Sequence, residues 1–225
     1  MKGSFRTVLV ALIVGLTTQA GAQGSFQNLN FEQAALYVTP TPVDTWGDFI
    51  YPPLAFPGWT ASQNTVGFYN DLSLGSPAAS LIGPSYPNAT GFTPLQGLYS
   101  VLLYYYAYSN YYSSPVLSQT GVVPSGTKSI NLLVDPRWPA PQITLGGVDI
   151  SLVPVSGGRV AGDISAFAGQ TEPLTVSIRG NSQGDHSTYF DDIRFSSSSV
   201  PEPSMLSLFS AGALLLIWRR PRRER

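Results

Sequence analysis

PLTVSIRG, residues 173–180, alternates polar and apolar side chains from Thr175 to Arg179. A period of two puts Val176 and Ile178 on one face and Thr175, Ser177 and Arg179 on the other, the pattern of a half-buried strand. Segments of like character recur through the middle of the chain. They are SFQNLNF (25–31), LYSVLLYYYAY (98–108), KSINLLVD (128–135), QITLGGVDISLVPV (142–155) and TYFDDIRFS (188–196). Gly, Pro, Asn and Ser separate them, no internal repeat emerges, and no run of ten residues in this middle part shows a helical stripe. An all-β domain is expected. Gly146-Gly147 and Gly157-Gly158 mark turns between paired strands. The Pro-rich TPTPVD (39–44) and IYPPLAFPGW (50–59) are poor ladder material and read as loops.

Charge is distributed unevenly. The 225 residues carry a net charge of −1, which gives no global field toward nucleic acid. Residues 23–200 hold five cations against eleven acids, a net of −6, and the remaining basic residues sit at the two ends. The absence of cysteine excludes disulfides, thiolate metal sites and cysteine nucleophiles. An apolar content of 43 % is enough for one core.

The two ends read as addresses. MKGSFR supplies positive charge, TVLVALIVGL an apolar core, and Ala20-Gly21-Ala22 a small-residue exit. Together they form a secretory signal peptide over residues 1–22, the other reading being a buried N-terminal helix. At the far end, Pro203 to Trp218 would span about 24 Å as a helix, marginal against a hydrocarbon core of roughly 30 Å. The stop-transfer cluster Arg219, Arg220, Arg222, Arg223 and Arg225 follows at once. Arginines stay cytoplasmic, so the body emerges on the opposite side. An ordinary tail anchor is the alternative.

Val200-Pro201-Glu202-Pro203, a short apolar helix and terminal arginines resemble the PEP-CTERM sorting signal of Gram-negative bacteria. That resemblance implies export, transient anchoring in the inner membrane and processing near Pro201, Glu202 and Pro203 by an exosortase, a membrane protease. Two prolines around one residue hold the segment extended. Ser196 to Ser199 read as a flexible spacer before it. The domain plan is thus a signal peptide at 1–22, a body at 23–196, and a serine linker with sorting signal at 197–225.

The body has a resemblance of its own. Asn30-Phe31-Glu32 early, Pro57-Gly58-Trp59 next, Asp163 to Gln170 late and Phe190 to Phe195 at the close resemble the jelly-roll sandwich of carbohydrate-binding modules and galactose-binding-like domains. It implies that the first and last strands lie side by side, with Phe31 and Ile193 facing the core. It also implies a structural calcium where Glu32 meets Asp191 or Asp192.

The remaining chemistry is sparse. Tyr99, Tyr104, Tyr105, Tyr106, Tyr108, Tyr111 and Tyr112 crowd one segment, and exposed rings form platforms for sugars. Trp46, Trp59, Tyr105 and Tyr111 are the glycan-contact candidates, with ordinary strand packing as the competing account. His186 is the only histidine. A triad would need it beside Ser182, Ser187, Asp185 or Asp191, and nothing resembles a nucleophile elbow. No catalytic residue is assigned. The expected function is that of an exported surface or matrix protein, structural, adhesive or associated with extracellular polysaccharide; the alternative is a secreted glycan-active enzyme on the same scaffold.

Overall fold

A strand that alternates in polarity buries its apolar face only under a second layer, and here later strands of the same chain supply it. The computed structural model describes residues 25–35, 48–49, 52–62, 65–69, 77–84, 92–107, 114–179 and 184–200. Among these, two sheets form. The larger runs, in spatial order, β1 (Asp48–Phe49), β3 (Val66–Tyr69), β4 (Ala78–Ile82), β5 (Ser100–Ala107), β13 (Gly184–Ser196), β7 (Ser129–Val134), β11 (Arg159–Asp163) and β10 (Val153–Val155). The smaller runs β2 (Thr60–Ala61), β6 (Val116–Val122), β12 (Thr171–Ser177), β8 (Gln142–Leu145) and β9 (Val148–Ile150). Named strands pair antiparallel except β3 with β4. The described residues are therefore nearly all β, a two-sheet sandwich as the alternation predicts.

The core lies between the sheets. Leu81, Val101, Leu103, Ile130, Leu132 and Phe190 of the larger sheet meet Leu117, Ile143, Leu145, Leu174 and Val176 of the smaller, all fully buried. Each such side chain contributes about 1.5–3 kcal/mol by leaving water. Residues 173–177 of the opening stretch occupy the middle of the smaller sheet, within β12 between β6 and β8. Pro173 is tolerated there because β8 pairs with β12 only from Leu174 onward. Gly146 N–H donates to the Pro173 carbonyl, so that edge of the residue faces the β8–β9 turn, where the missing N–H costs no ladder bond.

Two local readings change, and one strand lacks the alternation altogether. SFQNLNF was expected as a strand; it makes one bridge, Ser25 with Val122, and then turns. Asn28 and Phe31 adopt φ of +47° and +57°, incompatible with an extended ladder. IYPPLAFPGW contains one helical turn, α1 (Pro52–Ala55), because paired prolines suit a first turn whose N–H groups need no partner. β4, AASLI, carries no alternation because all five residues are buried. Its inner face meets the sandwich core. Its outer face, with Leu102 and Tyr189, is covered by Phe92, Leu95 and Trp138.

Phe31 and Ile193 both face the core, as the resemblance implied. The opening segment lies against the closing strand: Ile193 N–H donates to the Leu29 carbonyl at 2.9 Å, and the Phe26 and Phe195 rings lie 5.0 Å apart. The signal-peptide and membrane-helix assignments fall on residues 1–22 and 203–218, outside the described residues. Among the described residues no helix is long and apolar enough to cross a membrane.

Candidate functional site

The candidate site is built on β13, which carries the paired aspartates and then runs to the chain's exit. Asp191 stands opposite Leu133 and Arg194 opposite Asn131, so β13 holds one residue more than β7 across this interval. That is a β-bulge, and Asp192 takes it up with a φ of +48°. The kink sends two successive carboxylates in different directions.

Asp191 is fully buried. Its Oδ2 accepts from the Ser100 hydroxyl at 2.8 Å and the Gln96 amide at 3.1 Å, and its Oδ1 from the Asp192 amide at 2.6 Å. Burial pushes the carboxyl up to about 7, although those hydrogen bonds act in the opposite direction. Ser100 accepts in turn from the Leu95 amide at 2.8 Å. Glu32 reaches the next part of the same loop, its oxygens accepting from Leu98 N–H at 2.9 and 3.0 Å and from Tyr99 N–H at 3.1 Å. Residues 95–99 are thus a row of amides pinned by acids and a serine from three parts of the chain.

Asp192 turns toward guanidinium groups. Arg159 Nη1 and Nη2 each lie 2.9 Å from its Oδ2, and Arg159 Nη2 also donates to its carbonyl at 2.6 Å. Arg194 closes the other side, with Nε 2.9 Å from Oδ1 and Nη2 2.7 Å from Oδ2. Asn131 holds Arg159 through its Nε at 2.7 Å.

Glu32 and Asp191 hold neighbouring residues of the loop at 95–99 while Asp192 turns to Arg159 and Arg194, so the three acids the resemblance offered for calcium do not converge on one point. Backbone amides satisfy Glu32 and Asp191, and arginines neutralise Asp192, so the acids already have the positive partners a cation would supply. No group of three metal-ligating side chains converges among the described residues. The joint is a structural lock. At Gly97, φ is +61° and an added Cβ would collide with the Glu32 carboxylate. Gly97→Ala is therefore expected to destabilise the domain by about 1–3 kcal/mol, read as a lower midpoint in urea unfolding.

Two of the four glycan-contact candidates, Trp59 and Tyr105, are buried. Trp59 is only 4 % exposed; its Nε1–H donates to the Asn28 carbonyl at 3.1 Å and its ring stacks on Phe31 at 5.4 Å. Tyr105 faces inward and stacks on His186 at 6.3 Å. Alternation places Tyr105 on the same face as Val101 and Leu103, so it packs instead of forming a platform. Trp46 and Tyr111 lie outside the described residues. His186 and Asp191 are five positions apart on β13, about 16 Å along the strand, so they do not share one hydroxyl.

Beyond the lock, β13 ends at Ser196, whose carbonyl accepts from Lys128 N–H at 2.8 Å. Ser129 Oγ then donates to the Ser198 carbonyl at 2.8 Å, and Ser198 N–H to Ser196 Oγ at 3.1 Å. The serines read as a flexible spacer are attached to the sheet as far as Ser198. Pro201, Glu202 and Pro203 and the arginines from Arg219 to Arg225 lie outside the described residues. Neither Ser129 nor the Ser100, Gln96 and Arg159 partners carried a sequence signal, since each acts through a contact distant along the chain.

The segment that follows this exit is where similarity to a known family lies. The model of the PEP-CTERM protein-sorting motif matches residues 199–223. No curated protein matches the chain. A motif of this kind marks an exported protein sorted at its C-terminus, carried through the membrane to the cell surface, and implies processing by an exosortase, a membrane protein.

Proposed function

We propose that this chain is a surface or extracellular-matrix protein, held transiently in the inner membrane until an exosortase removes its tail. Its sandwich then serves a structural or adhesive role in association with extracellular polysaccharide. The observation that carries the reading is the sorting motif joined within a residue to the exit of a folded β-domain. The body's net charge of −6 and short edge strands suit a domain that stays folded outside the cell. Polysaccharide association is supported by the outer face of the smaller sheet. There Thr60, Ser118, Thr175 and Thr144 stand side by side across four strands, with Asp149 at the end of the row. Such a file of short hydroxyls offers donors and acceptors to a hydroxyl-rich polymer. The role is one of binding and support, without turnover.

The test follows the full chain in its exporting host. Mass spectrometry should find mature protein at the surface or in the medium without the apolar tail, and that protein should co-sediment with the host's extracellular polysaccharide. An intact tail on surface material would overturn the sorting reading. Release of reducing ends from the polysaccharide would overturn the non-enzymatic role.

A further inference from the structure

We infer that the sandwich restrains its own processing: the clasp on residues 196–198 must open, or the body must be moved away, before the sorting segment is fully accessible. This rests on the sorting reading given above and concerns how that site is regulated. Three bonds make the clasp. Lys128 N–H holds the Ser196 carbonyl, Ser129 Oγ holds the Ser198 carbonyl, and Ser198 N–H turns back to Ser196 Oγ. Ser129 is 4 % exposed and opens β7, an interior strand between β13 and β11, so the anchor is fixed by the sheet on both sides.

The matched segment begins at Ser199, one residue beyond the last clasped carbonyl. Three extended residues from Ser198 to Pro201 reach at most about 10 Å. A two-sheet body, with its layers about 10 Å apart before side chains are counted, thus abuts anything that grips the motif. Enzymes that bind an extended segment pair with its main-chain N–H and C=O groups. At Ser196 and Ser198 such groups are already engaged by the body. Approach from the N-terminal side therefore requires peeling the end of β13 or lengthening the tether.

The experiment compares tail removal by pulse-chase in the exporting host for the full chain and two variants. Ser129→Ala removes one clasp bond and is expected to speed processing about threefold to tenfold, the effect of one hydrogen bond on the opening equilibrium. Inserting Gly-Gly-Ser-Gly between Ser198 and Ser199 leaves the clasp, the body and the matched segment intact and is expected to speed processing as well. An unchanged or slower rate in the insertion variant overturns the inference, whatever Ser129→Ala does. Acceleration in the insertion variant cannot come from a destabilised fold, which keeps the test independent of how well Ser129→Ala folds. If no form of the chain loses its tail, the sorting reading itself fails, a result distinct from equal processing of all three.

Discussion

Phe31→Ala is expected to lower the stability of the domain by about 3–5 kcal/mol, the range for emptying a buried aromatic site. For a body of this size that is a fall in Tm on the order of 10 °C, measurable by thermal denaturation. The effect is large because the ring is wholly buried and touches three others: Trp59 at 5.4 Å, Phe56 at 6.4 Å and Phe190 at 5.7 Å. Those neighbours come from the segment around α1 and from β13, so the ring joins the opening of the chain to its close. The residue also holds a φ of +57°, a conformation that favours small residues and costs on the order of 1 kcal/mol or more. Surrounding contacts outweigh that strain. Phe31→Leu, which keeps much of the volume, should lose less; equal losses for the two variants would mean that the ring contacts are not what holds this corner.

The second large effect is in pH. The Asp191 carboxyl is raised from 3.8 to about 7, so between those values the folded state holds a proton that the unfolded state has released. Folding is therefore favoured by acidification across this window, and the contribution is lost as pH rises through 7. Its full extent is roughly 4 kcal/mol, from about 1.4 kcal/mol per unit. Asp135 and Asp163 act in the opposite sense. Arg137 holds Asp135 below its usual value, and the Ser165 amide does so for Asp163. Their stabilisation is present above the ordinary carboxylate range and is lost as pH falls below it. Urea unfolding should thus show greatest stability in mild acid, near pH 4–5, and a decline toward pH 8. Asp191→Asn should remove that decline while keeping one acceptor for the donors around it. A wild-type profile that is flat from pH 5 to 8 would show that the buried carboxyl titrates normally.

Period-two alternation was a sound guide where one strand face is wet. Thr175 to Ser177 lie in β12, and Gly146-Gly147 and Gly157-Gly158 turn where a paired-strand reading puts them. It had no purchase on β4, buried on both faces, or on residues 25–31, where Phe31 is in place through ring packing and a left-handed backbone. The candidate site was legible in part. The resemblance points to Glu32, Asp191 and Asp192, and each is engaged at this joint, but they do not converge on one point and the groups that hold them were hidden. Ser100 lies 91 positions from Asp191 and Arg159 lies 33 from Asp192, with no local pattern to announce either. Aromatic residues misled for the same reason: a tyrosine on a strand faces inward or outward according to register, which only the assembled sheet fixes.

The Leu29–Ile193 bond and the Phe26–Phe195 ring contact have a further consequence for a chain delivered across a membrane N-terminus first. The segment that emerges earliest finds its partner only when almost the whole polypeptide has crossed. Until then β7 and β5 lack the strand between them, and their hydrogen-bonding edges stand open. Maturation of this protein is accordingly a race between the arrival of its last strand and capture of the unfinished sheet by other open edges.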